Sequence, residues 1–129
     1  AKSRIYGAAD PALTYQITSG NLVNGDQLIG SLTTVANTTA GVGSYAINQG
    51  TLGHSNYAIT YVSANETITA RQITVTADTP ASRYYGDANP ALTYTVGGLG
   101  MANGDTLGGA LATSASSASA VGSYAITQG

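Results

Sequence analysis

The chain repeats itself. Residues 3–15 read Ser-Arg-Ile-Tyr-Gly-Ala-Ala-Asp-Pro-Ala-Leu-Thr-Tyr, and residues 82–94 read Ser-Arg-Tyr-Tyr-Gly-Asp-Ala-Asn-Pro-Ala-Leu-Thr-Tyr. Gly86 follows Gly7 by 79 residues, and the same spacing carries Asn24-Gly25-Asp26 onto Asn103-Gly104-Asp105 without a gap. It also carries Val42-Gly43-Ser44-Tyr45-Ala46-Ile47 onto Val121-Gly122-Ser123-Tyr124-Ala125-Ile126. About half of the overlapping positions are identical, so the chain is one module in tandem and not a single domain around one core. Residues 51–79 occur only once. The expected division is a first repeat over residues 1–71, lacking its first strand, and a second over residues 72–129, lacking its last strands. Opening on Ala1 and not on a methionine, the chain reads as an excerpt of a longer polypeptide.

What the two copies keep is turn chemistry. Gly7 and Gly86 with Pro11 and Pro90 bracket a polar turn that holds Asp10 or Asn89, ahead of the extended step that precedes a proline. Asn24-Gly25-Asp26 and Asn103-Gly104-Asp105 suit a tight hairpin, because Asn and Gly both tolerate positive φ. Gly7, Pro11, Asn24, Gly25, Asp26, Gly86, Pro90, Asn103, Gly104 and Asp105 are expected to be structural turn residues. Residues 16–23 against 95–102, and 35–41 against 114–120, differ between copies and read as loops or strand ends facing solvent.

Apolar and polar residues alternate with period two. Leu13, Tyr15 and Ile17 share a face, as do Tyr45 and Ile47, then Tyr57, Ile59 and Tyr61, then Ile73 and Val75. Threonine, tyrosine and β-branched residues fill these stretches, and no apolar stripe has the length of a stable helix. The Ala- and Ser-rich residues 113–120 are read as a loop or short turn, because their counterparts 34–40 are poor helix material. The fold expected is all-β: small tandem modules, each an immunoglobulin-like sandwich or a β-grasp-like mixed sheet. Residues 67–77 contain no Gly or Pro, so the last strand of one copy is expected to run on into the next, giving an elongated array.

Composition removes several classes of function. With 4 basic and 6 acidic side chains and a net charge of -2, the chain has no basic patch to hold a nucleic acid. No cysteine means no disulfide framework, thiolate zinc site or cysteine nucleophile. No run approaches the roughly 18 apolar residues of a membrane-spanning helix, so no membrane insertion is expected. Lys2 is the only lysine and its counterpart is Ala81, which excludes a repeated isopeptide cross-link.

The residues that could carry chemistry are few. His54 beside Ser55 invites a hydrolase reading, but no Gly-x-Ser-x-Gly elbow accompanies them, and His54 is read as a loop histidine at the start of a strand. Asp10, Asp26, Asp87, Asn89 and Asp105 are oxygen ligands of the kind calcium uses, yet they are spread along the chain and form no local cluster, so turn-forming roles are preferred. No catalytic residue, metal or other cofactor is expected. Where the second copy has Tyr84-Tyr85 the first has Ile5-Tyr6, which marks Tyr85 and Tyr6 as core and Tyr84 as the variable position. Tyr84 is therefore the candidate ligand-binding residue, presenting an aromatic face to a glycan or mucin.

Arg-Tyr-Tyr-Gly-Asp-Ala-Asn-Pro-Ala-Leu-Thr-Tyr at 83–94, Asn-Gly-Asp-Thr-Leu-Gly-Gly-Ala-Leu at 103–111, Val-Gly-Ser-Tyr-Ala-Ile at 121–126 and Ser-Asn-Tyr-Ala-Ile-Thr-Tyr-Val at 55–62 together resemble the MBG domain of the YGX type. The resemblance covers essentially the whole chain and departs at Ala8, where the second copy has Asp87. It implies a non-enzymatic stalk repeat of a large secreted bacterial surface protein of the filamentous-haemagglutinin-like adhesin kind, serving adhesion or biofilm. A weak multivalent carbohydrate- or glycoprotein-binding repeat is the alternative. The partners expected are neighbouring repeats of the same chain, a glycan or surface ligand, and further copies paired through exposed strand edges.

Overall fold

The computed structural model describes residues 1–79 and 82–129. Among them are eight strands and no helix, so the chain is all-β. It divides into two compact units, Ala1–Arg71 and Gln72–Gly129.

The first unit is built on one four-stranded sheet. β1 is Lys2–Ile5, β2 Thr33–Thr34, β3 Gly43–Asn48 and β4 Ala64–Thr69, in the order β1-β4-β3-β2. β4 runs parallel to β1 and antiparallel to β3, while β2 and β3 are antiparallel. This is a mixed sheet with a parallel pair, the β-grasp-like alternative and not a sandwich of antiparallel sheets. Period-two geometry sends Arg4, Tyr45, Ile47, Glu66 and Ile68 to one face. Ile47 and Ile68 are buried there, with Ala36 and Leu52 completing the apolar core. Ile68, at 1% exposure, is the most enclosed apolar residue, because β4 is flanked on both sides.

The second unit is built from two antiparallel pairs. β5, Ile73–Ala77, pairs with β6, Tyr94–Gly98, from Ile73 opposite Gly98 to Ala77 opposite Tyr94. β7, Ala112–Thr113, pairs with β8, Ile126–Thr127. Among the described residues this unit buries no side chain to the degree reached by Ile47 or Ile68.

Three expectations are corrected. The strand across residues 67–77 is interrupted at Ala70, Arg71 and Gln72: the β4 ladder stops at Thr69, where β1 ends and the Gly7 turn begins. Leu13, Tyr15 and Ile17 form no strand, although the same alternation at Tyr94–Gly98 does. No described strand pairs with Leu13, Tyr15 or Ile17, and an extended segment without a ladder partner is not a strand. Tyr57, Ile59 and Tyr61 do alternate in burial with their neighbours but lie outside any strand; His54 correspondingly sits in a loop.

Candidate functional site

The side chains with most polar chemistry converge on Arg4. β1 aims its guanidinium inward, where Nε donates to Glu66 Oε1 at 2.9 Å from the neighbouring β4. The turn after β1 closes with Ala8 N donating to Ile5 O at 3.0 Å, and Gly7 supplies its positive φ of 81°. That turn brings the Ala8 carbonyl to 3.2 Å from Arg4 Nη1 and the Asp10 carboxylate to 3.0 Å from Nη2. The loop after β2 adds the Asn37 carbonyl, which accepts from Nη2. Asn37 is itself held in a side-chain turn, its Oδ1 accepting from Thr39 N at 3.1 Å.

The result is a clasp that ties β1, β4 and the turn after β1 to the loop after β2. Glu66 is completely buried, and among the described residues its Oε2 has no hydrogen-bond partner. A carboxylate in that position depends on the facing guanidinium, because an uncompensated charge away from water is costly. Enclosed on every side, Glu66 cannot reach a substrate. The clasp is a device for holding strands together, not an acid or base for catalysis.

The second unit repeats the fork around Arg83. Its Nη2 donates to the Ser116 carbonyl, the counterpart of Asn37, and its Nη1 to Tyr84 O at 3.3 Å. Nε, which in the first unit meets Glu66, here meets Asn89 Oδ1 at 2.8 Å, and Asn89 Nδ2 donates onward to Ala115 O at 2.7 Å. Neither Arg4 nor Glu66 was singled out by sequence reasoning. The signal available was Arg4 recurring as Arg83 in a chain with so few basic residues, with Glu66 two residues before Ile68 on an alternating strand.

Asn24-Gly25 and Asn103-Gly104 lie in turns in both units, as do Gly7 and Gly86. Asn24 and Gly25 have φ of 57° and 71°, Asn103 and Gly104 54° and 73°, the pair of positive values that a type I′ turn requires. Asp26 N donates to Val23 O and Asp105 N to Ala102 O, both at 2.9 Å, although no named strands flank either turn. Gly86 matches Gly7 with φ of 89°, and Asp87 N closes the turn onto Tyr84 O at 3.1 Å. Pro11 is half-buried and Pro90 exposed, both beside the arginine forks.

The residues considered for calcium are dispersed. Asp10 serves Arg4, Asp26 accepts from the Tyr57 hydroxyl at 2.8 Å, and Asn89 serves Arg83. Among the described residues no three His, Cys, Asp or Glu side chains gather as metal ligands would. His54 accepts from Asn56 N at Nδ1, 3.2 Å away, and stands edge-on to Tyr57.

Tyr84 is 86% exposed and lies outside any strand. Tyr85, expected in the core, is also open at 69%. Its counterpart Tyr6 is half-buried because β4 continues alongside, Tyr6 N donating to Thr69 O at 2.8 Å. Among the described residues no strand takes that place beside Tyr85.

Fold and clasp define an all-β repeat module that uses its charged side chains to close its own sheet. The chain belongs to the MBG domain family of the YGX type, whose model matches residues 1–67 and again 73–129. Tyr6-Gly7 and Tyr85-Gly86 are the central residues of the two turns, closed by Ala8 N on Ile5 O and Asp87 N on Tyr84 O. MBG domains are a repeat type found in surface proteins, structural and not catalytic. No curated protein and no solved structure matches the chain.

Proposed function

We propose that this chain is a length of stalk from a large secreted bacterial surface adhesin, projecting a binding region from the cell and supporting adhesion or biofilm. One observation carries the reading: the same turns and the same arginine fork recur 79 residues apart in a chain of this family. Repetition of a structural unit adds length without adding new chemistry. The polar side chains support the reading, since Asp10, Asp26 and Glu66 are engaged inside the module. The test is made in cells carrying the parent protein, where the repeats are deleted or replaced by unrelated β-modules of equal length. A spacer predicts adhesion lost on deletion and restored by the filler, with antibodies against the repeats labelling intact cells. Failure of the filler to restore adhesion, or absence of surface label, overturns it.

A second reading is favoured by the adjacent exposure of Tyr84 and Tyr85. Two open aromatic faces suit weak binding of a carbohydrate or glycoprotein, made useful by many copies. It predicts that multivalently displayed repeats bind a glycan array and that Tyr84→Ala abolishes the signal, whereas a spacer gives none.

A further inference from the structure

The sequence holds two Asn-x-Thr triplets, Asn37-Thr38-Thr39 and Asn65-Glu66-Thr67, the pattern that asparagine-glycosylating enzymes read. The fold presents them in opposite ways. Asn37 is exposed on the loop after β2, and its Oδ1 accepts from Thr39 N at 3.1 Å and from the Thr39 hydroxyl at 2.8 Å. The backbone carbonyl of Asn37 anchors the loop, accepting from Arg4 Nη2 and from Ala40 N, the latter at 2.9 Å, and the adjoining Ala36 is buried. Among the described residues the side-chain nitrogen, Nδ2, has no hydrogen-bond partner. Asn65 instead stands within β4 opposite Ala46, and Thr67 is fixed between Ser3 of β1 and Ser44 of β3. Side chains two residues apart on an extended strand stand roughly 6–7 Å from each other, so Thr67 cannot fold back onto the Asn65 amide as Thr39 does onto Asn37.

We propose that Asn37 is an N-glycosylation site, taking a sugar on Nδ2 from a glycosyl diphosphate donor. A carboxamide nitrogen is a poor nucleophile because its lone pair is shared with the carbonyl. When the base of a transferase removes one Nδ2 proton, the negative charge settles on Oδ1, where the Thr39 N–H and hydroxyl are already aimed. Nδ2 then attacks the anomeric carbon of the donor. The new bond joins nitrogen to carbon, the bond from that carbon to the diphosphate oxygen breaks, and the diphosphate leaves with the electron pair while the proton stays on the base. Because Arg4 holds Asn37 by its backbone carbonyl and not by its side chain, a sugar on Nδ2 leaves the clasp intact. The second repeat has Ser116 where the first has Asn37, so the acceptor belongs to the first repeat.

The test incubates the whole folded chain in two arms and maps the products by peptide mass. One arm holds a soluble asparagine glycosyltransferase with UDP-glucose, the other a membrane oligosaccharyltransferase with a polyprenyl-diphosphate-linked oligosaccharide. Transfer to Asn37 is expected in at least one arm, and the arm that works tells whether a nucleotide or a lipid carries the sugar. Asn65 is expected to stay unmodified in both. Thr39→Val should slow transfer to Asn37 about a hundredfold, the scale of losing one donor aimed at developing charge, and Thr39→Ser should restore it. Both variants are expected to keep the amide spectrum of Arg4, Ala36 and Ala40, so misfolding cannot imitate the loss. No transfer to Asn37 in either arm overturns the proposal. So does transfer to Asn65 as fast as to Asn37, or a Thr39→Val chain modified as readily as the native one.

Discussion

The two units share half of their overlapping sequence and differ in how far it is folded. Lys2–Ile5 is a strand with a buried arginine, whereas Ser82, Arg83 and Tyr84 lie outside strands and Arg83 is half-buried. Gly43–Asn48 is a six-residue strand, while its identical core Gly122-Ser123-Tyr124-Ala125-Ile126 is strand only at the end. The reverse holds for Tyr94–Gly98, ordered against β5, and its counterpart around Tyr15 and Ile17, which is not. In each case the copy that is a strand is the one with a ladder partner. Local sequence makes these segments able to be strands, and a ladder partner makes them strands. What both copies keep regardless is local: the Asn-Gly turns, the Gly7 and Gly86 turns, and Tyr45 or Tyr124 donating to the carbonyl four residues before it.

The largest effect that should separate the units is loss of the fork. Arg4→Met leaves Glu66 buried without its counter-charge and is expected to cost about 3–5 kcal/mol of the first unit's stability. Arg83→Met removes contacts to carbonyls and Asn89 near the surface, with no buried charge left behind, and should cost about 1 kcal/mol. Urea denaturation followed by amide exchange reads the two units separately. Equal losses in the two would mean that the buried pair is not what distinguishes them. Replacing both partners, Arg4→Met with Glu66→Leu, should recover most of the first loss, since a well-packed apolar pair can substitute for a buried ion pair.

A smaller contrast lies in one glycine. Gly30 and Gly109 are counterparts with φ of 82° and 78°, so alanine at either position is expected to cost about 1–2 kcal/mol for the left-handed backbone alone. A Cβ on Gly30 would also run into the Thr51 backbone carbonyl, whereas on Gly109 it meets nothing within 4 Å. Gly30→Ala should therefore lower the melting temperature of its unit more than Gly109→Ala, disturbing the pairing of Thr51 N with Ser31 O at 3.1 Å. Matching shifts would show that Thr51 yields at little cost and that this close approach does not sharpen the difference.

Much of this was legible in the residues. The tandem module, the all-β class and the Asn24-Gly25 and Asn103-Gly104 turns follow from spacing, alternation and the need for positive φ. Alternation also placed Tyr45 and Ile47 on one face. What was not legible depends on distant partners. Nothing local distinguishes Leu13-Thr14-Tyr15 from Leu92-Thr93-Tyr94, yet only Tyr94 enters a strand. Tyr85 was misplaced in the core for the same reason, since the strand that shelters Tyr6 has no counterpart beside it. The clasp was missed because Arg4 and Glu66 are 62 residues apart and a lone glutamate on a polar strand ordinarily faces water.

The smallest effect concerns Asp78, just after β5 in the second unit. The Thr95 hydroxyl donates to Asp78 Oδ1 at 2.7 Å, and with a further contribution from Thr93 it holds this carboxyl below the ordinary aspartate value. A carboxylate favoured in the folded chain stabilises it fully above the unfolded value, about pH 4, and that contribution fades as pH falls through the lower, folded value. Because Asp78 is wholly exposed, solvent and salt screen the effect. Acid should thus loosen the β5–β6 pairing slightly, first at Asp78 N, which bonds Thr93 O at 2.9 Å. A carboxyl carbon titration should show the Asp78 midpoint rising towards the ordinary value in Thr95→Val, a substitution that suits a strand. An unchanged midpoint would assign the depression to Thr93 or to the backbone around it, and the acid sensitivity of the second unit would then have to be sought there.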